Sequence, residues 1–484
     1  MKKIISILIL TLMLFACSSG SSSVETGEIG RETETTVDTR NPREIIREDL
    51  PEIDFEGYEF RIMVADADTF SFDVFAIEET GEKLNDATYR RDQRVSERFG
   101  VTIVYYQAGA RGELGNKAYA SIMAGDDTFD VIKVVPWSAD KLAKEDMFLS
   151  WNEIPYVDLD KPWWNQSIRY QLAVGDRTLW MNSDMSVNDY ASAQCYLFNK
   201  NLFDSFDFEY PYQLVKDFKW TRETLEGYIK VAPIDLNGDG EFKLDDDMFG
   251  ISMHAHGMAN FVYMWSSQVM SKDKDNLPYL NLNTERTVAI INQVYEWVYE
   301  KKHINIHSDV VIITPPAINA FQASRLLLMP TMIGDVKVMR DMEADFGILP
   351  FPMWDENQDH YRHYANPSTT YLAIPYIAPN IERTGIVMEA LSAEGYRTII
   401  PEYYDVVLKV RDTRDDESEL SIDLIQKSIF FDISHFYGGS LGSYSDFPVA
   451  ILYNSKSNDF ASYYAKKENA ALLEVEKFIE LMTK

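Results

Sequence analysis

Apolar runs alternate with helical patterns along the first part of the folded chain. Strands are predicted at residues 58–65 (YEFRIMVA), 101–106 (VTIVYY) and 129–135 (FDVIKVV), which are rich in apolar, β-branched and aromatic residues. Residues 84–100 repeat one face every four positions and end in glycine, and residues 116–125 (NKAYASIMAG) also have a helical pattern. This order of strand, helix, strand, helix and strand predicts right-handed crossovers and a mainly parallel sheet.

The middle of the chain continues these patterns. Residues 286–302 carry a helical apolar stripe, and residues 315–324 predict a helix that leads into a strand at residues 325–332. Residues 345–352 (DFGILPFP) predict another strand, closed by prolines. The sequence has 484 residues. Without its N-terminal segment it still holds roughly 430, which is too many for one hydrophobic core, so two lobes are predicted.

The N-terminal segment differs from everything that follows. Lys2 and Lys3 precede an apolar run at residues 4–16, which is shorter than the roughly 20 residues needed to span a bilayer. Together they predict an export signal at residues 1–16. Residues 14–17 (LFAC) resemble a bacterial lipobox, so acylation of Cys17 is predicted, and an ordinary signal peptide cut nearby is the alternative. Residues 17–54 are polar and charged, which predicts a flexible tether.

Charge and cysteine content narrow the range of possible functions and binding partners. The formal net charge of −31 argues against nucleic acid as a partner and against electrostatic binding to anionic lipid, because like charges repel. The acidity is interpreted as a source of solubility. Cys195 has no partner once Cys17 is acylated, so no disulfide is expected, and Cys195 is predicted to be a buried apolar residue.

Four segments resemble a known family. They are residues 81–103 (GEKLNDATYRRDQRVSERFGVTI), 196–203 (YLFNKNLF), 345–361 (DFGILPFPMWDENQDHY) and 388–425, which begins MEALSAEGYRTII. In order and spacing they resemble extracellular solute-binding proteins of ABC importers, in particular the carbohydrate-type family-1 group. The resemblance runs from about Gly57 to the C-terminus.

The resemblance implies a two-lobed, periplasmic-binding-protein-like α/β fold of type II. Each lobe is expected to be a mainly parallel sheet flanked by helices, with a hinge between the lobes. The first lobe is expected at residues 55–188 and 366–428, and the second at residues 192–362 and 429–484.

The resemblance also implies how the lobes are joined. The chain is expected to cross between them at residues 182–194 and 364–374, with Asn366, Pro367, Ser368 and Thr369 forming a hinge. A ligand that closes the hinge must contact both lobes, because it can shift the equilibrium only by binding the closed state better.

The function implied is capture of a sugar or oligosaccharide by a monomeric, lipid-anchored protein at the outer face of the bacterial cell membrane. Its partners would be the ABC permease subunits, and it would not be an enzyme. Two alternatives stay open. One is a binding protein for a peptide or another solute. The other is a lipid-anchored glycoside hydrolase, which needs two carboxylates at a set separation; with 77 acidic residues, finding such a pair would prove nothing.

Candidate ligand contacts are chosen by position, because sugar rings stack on aromatic side chains and their hydroxyls pair with carboxylates and amides. Trp137 and Asp140 directly follow the third predicted strand, where open sheets of this kind bind ligands. The others lie near a predicted crossing, in an aromatic pair, in a predicted helix that could supply the stacking residue of the second lobe, or where the resemblance implies approach to the ligand: Trp163, Trp164, Asp184, Asn188, Trp265, Asp335 and Tyr371. For the three tryptophans of this second group, packing is the alternative role.

Residues 235–246 (DLNGDGEFKLDD) form the sharpest local motif. Oxygen-bearing side chains recur in the spacing of a calcium loop, with a glycine at the sixth position, which predicts a structural Ca²⁺ held by Asp235, Asn237, Asp239, Glu241 and Asp246. The alternative is a metal-free turn rich in Asp and Asn. His254 and His256 alternate without a third ligand at a clear spacing, so they are interpreted as surface or packing residues.

Overall fold

Two five-stranded sheets flanked by helices form the framework of the chain. The computed structural model describes residues 41–67, 72–307, 315–339, 342–366, 368–409, 417–442 and 444–484. The predicted signal peptide, Cys17, most of the predicted tether and Pro367 lie outside the described residues.

The strands of the described chain are β1 (Tyr58–Val64), β2 (Val101–Gln107), β3 (Val131–Val134), β4 (Phe148–Leu149), β5 (Gln194–Asn199), β6 (Phe249–His254), β7 (Met270–Lys272), β8 (Pro278–Leu280), β9 (Ile304–His307), β10 (Leu326–Met332), β11 (Phe346–Leu349), β12 (His363–Tyr364), β13 (Tyr371–Pro375) and β14 (Ile429–Phe430).

Its α-helices are α1 (Pro42–Ile45), α2 (Lys83–Phe99), α3 (Leu114–Ala124), α4 (Pro136–Lys144), α5 (Gln166–Gln171), α6 (Asn188–Ala191), α7 (Lys200–Ser205), α8 (Tyr212–Lys216), α9 (Arg222–Ile229), α10 (Met258–Met264), α11 (Glu285–Tyr295), α12 (Pro315–Gln322), α13 (Ile381–Lys409), α14 (Glu417–Lys427), α15 (Ile433–Phe436) and α16 (Phe460–Met482). Short 3-10 helices lie at Arg111–Glu113, Trp151–Glu153, Ala255–Gly257 and Ile333–Met339, and π-helical turns lie at Glu296–Glu300 and Val449–Asn454.

The first sheet has the strand order β2–β1–β3–β13–β4. β1 is parallel to both β2 and β3, as predicted for the first three strands. The helix between the first two strands, α2, begins where the Glu82 side chain accepts a hydrogen bond from the Asn85 N–H, and it ends at Gly100 in a left-handed conformation with φ 58°. Its apolar face, which includes Ala87, Val95 and Phe99, is buried as the four-residue repeat predicts.

The second sheet has the strand order β11–β5–β10–β6–β9. β6 is parallel to β10 and β9, whereas β5 is antiparallel to β10 and β11. In the first sheet β13 is likewise antiparallel to its two neighbours, β3 and β4. In each sheet four of the five strands therefore run in the same direction, as predicted, and the one reversed strand, β5 or β13, is the strand that follows a crossing from the other lobe. Cys195 in β5 is buried, as predicted.

The chain passes between the sheets more than once. It leaves the first sheet after Met181, which bridges to Leu372, and enters the second at Gln194. It returns between β11 and β13, and Ala193 of the first crossing pairs with Ala365 of the second in an antiparallel bridge. Two adjacent crossing segments are the arrangement that a hinge requires.

The last quarter of the chain alternates between the lobes, in contrast to the predicted boundaries. α13 packs on α2 in the first lobe, but α14 packs on β11 and α8 in the second, although the prediction placed residues 366–428 in the first. α15 then packs on α4 in the first lobe, and the π-helical turn Val449–Asn454 packs on α10 in the second. Local sequence patterns identify these helices but not the sheet on which each one packs.

Residues 46–484 form one compact unit that includes the end of the predicted tether. Glu48 lies between two guanidinium groups, 2.5 Å from Arg98 and 2.9 Å from Arg397. Burial alone raises the pKa of Glu48, but the hydrogen bonds from these arginines hold it below its ordinary value. Residues 46–54 are thereby attached to the first lobe. Among the described helices, none has the length and apolar content needed to cross a bilayer.

Candidate ligand-binding cleft

A cavity of about 470 Å³ opens between the two lobes. Its walls come from the first lobe, the second lobe, the second crossing and the segment after α15. The lining residues are Arg111, Trp137, Asp140, Gln194, His254, His256, Ala259, Asn260, Tyr364, Asn366, Ser368, His435, Gly438, Gly439, Ser445 and Asp446. Its volume lies in the range typical of small-molecule sites.

The first-lobe wall carries the one large aromatic side chain that is substantially exposed in this lining. α4 starts directly after β3, with Pro136 at its first position, and so carries Trp137 to the carboxyl end of a parallel strand. The Trp137 side chain is 52% exposed. A Cβ at Gly112 would lie only 3.0 Å from the indole Cη2, so the absence of a side chain there leaves room for the ring.

The second-lobe wall is built from amides and imidazoles. Gln194 at the start of β5 and Asn260 in α10 exchange hydrogen bonds between their side-chain amides. His254 ends β6 and His256 follows in the 3-10 helix, with ring centroids 6.1 Å apart. Nδ1 of His256 lies 3.7 Å from a carboxylate oxygen of Asp446.

The floor of the cleft consists of Tyr364 from β12 and His435 from α15, with ring centroids 5.1 Å apart. Both rings also pack on Tyr263, at 4.9 Å and 5.0 Å. Three polar side-chain atoms in this lining are buried and have no hydrogen-bond partner within the described part of the chain: His254 Nδ1, Tyr364 Oη and His435 Nε2. Since buried polar groups are nearly always paired in folded proteins, these three atoms are available to polar groups of a molecule in the cavity.

The two carboxylates of the cavity lining are paired with basic side chains, and two of its imidazoles are uncharged. Burial lowers the pKa of His254 to about 3 and that of His435 to about 4, so both imidazoles are neutral at neutral pH. A hydrogen bond with Asp446 raises the pKa of His256 and lowers that of the carboxyl group. Asp140 pairs with Lys144 at 2.8 Å and accepts a hydrogen bond from Ser440 Oγ at 2.9 Å. The site therefore offers neutral donors and acceptors rather than one dominant charge.

Of the predicted contacts, the structure brings Trp137 and Asp140 to the cavity and places the other aromatics in the core. Trp163 and Trp164 are buried, and their indole N–H groups donate to Glu389 at 3.1 Å and 2.7 Å. Burial raises the pKa of this carboxyl to about 7, and the indole donors oppose that rise. Trp265 and Tyr371 are also buried; the first donates to the Pro352 carbonyl, and the second packs edge-on against Phe436.

The remaining predicted polar contacts lie outside the cavity lining. Asp184 accepts a hydrogen bond from Tyr190 Oη at 3.1 Å. Asn188 donates to Thr370 Oγ1 at 3.1 Å and belongs to a buried network at the crossing segments. Asp335 lies in the 3-10 helix after β10, where burial raises its pKa to about 6.

Sequence reasoning missed the imidazoles, Tyr364 and the glycine-rich segment at residues 437–446. The interpretation of His254 and His256 as surface or packing residues was too narrow, since both line the cleft. The density of glycine and serine in YGGSLGSYSD was the available signal. At Gly439, a Cβ would come within 2.5 Å of Asp140 Oδ2, so the segment approaches the first-lobe wall more closely than a side chain would allow.

The predicted calcium loop folds around its own carboxylates. Asp235 accepts hydrogen bonds from the N–H groups of Gly238 and Gly240, at 2.6 Å and 2.8 Å. Asp239 accepts one from Glu241 N at 2.8 Å, and Gly240 has φ 80°. Within the described residues, no cluster of three or more His, Cys, Asp or Glu side chains converges closely enough to hold a metal ion. The calcium site stays a prediction.

Several solved structures are similar to this protein in overall architecture. A cyclo/maltodextrin-binding protein solved with maltotetraose is similar at a TM-score of 0.56 and 11% identity, over 88% of this chain and 96% of that one. An ABC substrate-binding protein of Listeria monocytogenes, solved with cycloalternan, gives a TM-score of 0.52 and 11% identity, over 88% of this chain and 99% of that one. The GacH receptor of Streptomyces glaucescens, solved unliganded and with acarbose, gives a TM-score of 0.53 and 13% identity, over 88% of this chain and 99% of that one.

At such low identities the likeness shows the fold alone. The chain has the two-lobed, periplasmic-binding-protein-like α/β fold of these substrate-binding proteins. No family model matches the sequence, and no curated protein matches it.

Proposed function

We propose that this protein is the extracellular, lipid-anchored substrate-binding component of an ABC importer, and that it captures a sugar or oligosaccharide between its lobes. The observation that carries this proposal is the cleft, which combines an exposed indole with neutral hydrogen-bonding groups from both lobes. Structural neighbours solved with maltotetraose, cycloalternan and acarbose support it. Acylation of Cys17, the permease partner and a monomeric state belong to the same proposal.

The chemistry of the cleft favours a carbohydrate over the alternatives. A sugar presents an apolar face, which suits Trp137, and hydroxyls that both donate and accept, which suit amides and neutral imidazoles. A peptide would require groups that recognise charged termini, whereas Asp140 and Asp446 are already engaged with Lys144 and His256.

A glycoside hydrolase would need a general acid whose pKa is raised. The cavity lining contains two carboxylates, and each is paired with a neighbouring basic side chain. Asp446 has its pKa lowered by the hydrogen bond with His256, and Asp140 lies beside Lys144. The arrangement therefore supports binding without bond cleavage.

A ligand screen tests the proposal. The full chain is incubated with maltotetraose, cycloalternan, acarbose, cellotetraose and xylotetraose, and tryptophan fluorescence, melting temperature and radius of gyration are recorded. We expect at least one oligosaccharide to change the fluorescence, to decrease the radius of gyration, and at ten times its Kd to stabilise the protein by about 1.4 kcal/mol. New reducing ends would instead support a hydrolase, and no response to any sugar would contradict the proposal.

Calcium binding by residues 235–246 is a separate part of the proposal. If the loop binds Ca²⁺ in the folded state, millimolar calcium is expected to raise the melting temperature by about 2 °C or more over the value in chelator, since a ligand specific to the native state stabilises it. Asp239→Ala should abolish this difference. Asp275→Ala, in another exposed turn, is the matched control and should leave it unchanged. Equal melting temperatures with calcium and with chelator would exclude the site.

A further inference from the structure

We propose that His254 in the second-lobe wall and Tyr364 and His435 in the floor form a specificity-determining subsite of the cleft, which binds the hydroxyls of an uncharged sugar ring and rejects a ring that carries a carboxylate. This inference rests on the proposed function and deepens it, because it assigns particular side chains and a ligand class to the cavity.

The first argument is hydrogen bonding. His254 Nδ1, Tyr364 Oη and His435 Nε2 are buried in the wall of the same cavity, and the described chain supplies no partner for any of them. Leaving a buried polar atom unpaired costs free energy, so three such atoms in the lining of one cavity favour a molecule that pairs with them there. Sugar hydroxyls both donate and accept, and they can therefore pair with all three atoms.

The second argument is rigidity. The Tyr364 ring is stacked on Tyr263 with an interplanar angle of 17°, and the His435 ring packs against both tyrosines. Tyr263 is fixed in turn by donating from its hydroxyl to the Ser445 carbonyl at 2.9 Å. Polar atoms on rings held in this way select a ligand by the positions of its hydroxyls, because they cannot follow a ligand of another shape.

The third argument is charge. Both unpartnered imidazoles are kept neutral by burial, so they cannot balance a ligand carboxylate at neutral pH. The guanidinium of Arg111 donates to the Ser368 carbonyl on the second crossing at 2.6 Å, and the carboxylates of Asp140 and Asp446 are paired with Lys144 and His256, so the three residues of the subsite carry no charge of their own. An anionic ring would therefore lose its hydration without gaining a matched counter-charge in the floor.

Removing one unpartnered atom tests the subsite. The probe is the neutral oligosaccharide of the screen that binds the full chain best. Tyr364→Phe deletes only the hydroxyl, so we expect its Kd to rise by about 5–20-fold, while the melting temperature without sugar stays equal or increases because no internal hydrogen bond is lost. Tyr403→Phe is the matched control: Tyr403 Oη is also buried without a partner in the described structure, but it lies in a separate small core cluster. Its Kd should equal that of the wild type.

The ligand class is tested with a pair of probes: the same oligosaccharide, and its derivative oxidised to a uronate at one ring. We expect the uronate to bind at least about tenfold more weakly at pH 7. If the wild type binds the sugar but Tyr364→Phe binds it equally well, or the uronate binds as tightly as the neutral probe, the inference is overturned while the proposed function stands. Binding of no oligosaccharide overturns both.

Discussion

Replacing Asp73 by alanine is expected to lower the free energy of unfolding by about 3–5 kcal/mol, because it leaves the ammonium group of Lys133 buried without its counter-charge. The two side chains form an ion pair in which Lys133 is 2% exposed and Asp73 is 4% exposed. Burial lowers the pKa of Lys133, and Asp73 opposes that shift. Part of the loss will therefore be relieved by release of the lysine proton.

The same carboxylate holds the crossing segments to the first lobe. Its oxygens accept hydrogen bonds from Ser186 Oγ at 2.6 Å, Asn188 Nδ2 at 3.0 Å and Thr370 Oγ1 at 3.0 Å. The first two donors lie on the first crossing, and Thr370 lies at the end of the second. Asp73 is thus one acceptor that joins both crossings to Lys133 of β3. Its loss removes all of these contacts together, so a large decrease in the free energy of unfolding is expected.

Urea unfolding at pH 7 measures the effect. The control is Glu474→Ala, which removes an exposed ion pair with Lys477 and should leave the free energy of unfolding unchanged. The double variant Asp73→Ala with Lys133→Met should recover part of the lost stability, because no buried charge remains unpaired. A single variant within about 1 kcal/mol of the wild type would show that the pair contributes little.

The first lobe shows which features the sequence determines locally. The strands β1 to β3 and the helices α2 and α3 were predicted from runs and periodicities within a few residues of each other, and capping at Glu82 and Gly100 depends on neighbours only. Trp137 was predicted by the same logic, because the end of a parallel strand is a local feature with a known relation to ligand binding.

The parts that could not be predicted depend on distant residues. Aromatic character alone does not distinguish Trp137 from the three tryptophans that lie in the core, Trp163, Trp164 and Trp265. Those three are held there by partners that are distant in the sequence, among them Glu389 and the Pro352 carbonyl.

The cleft floor likewise joins residues far apart in the sequence. It combines Tyr364 of β12 with His435 of α15, and in the wall beside it Asp140 accepts a hydrogen bond from Ser440, which lies 300 positions away in the sequence. Contacts between residues so far apart leave no periodic pattern in the sequence, so they could not be predicted from it. The one reversed strand of each sheet has the same origin, since β5 and β13 each follow a crossing from the other lobe.

The second large effect concerns the ligand. Trp137→Ala is expected to raise the Kd for the best oligosaccharide of the screen by about 10–100-fold, which corresponds to about 1.4–2.8 kcal/mol. The indole is the one extended apolar face that the first lobe presents to the cavity, so its loss removes the stacking surface and also a first-lobe contact that favours closure. Trp137→Phe keeps a smaller ring and should lose less.

The effect of Trp137→Ala should be confined to binding. Because half of the side chain is exposed, the melting temperature without sugar should change little, unlike the result expected for a buried tryptophan. Tyr376→Ala is the matched control, since Tyr376 is an aromatic of similar exposure, at 51%, outside the cavity lining. Titration by tryptophan fluorescence loses part of its signal in the variant, so calorimetry is the appropriate measurement. A Kd within twofold of the wild-type value would remove Trp137 from the binding surface, and the sugar would then have to be held by the second-lobe wall and the floor alone.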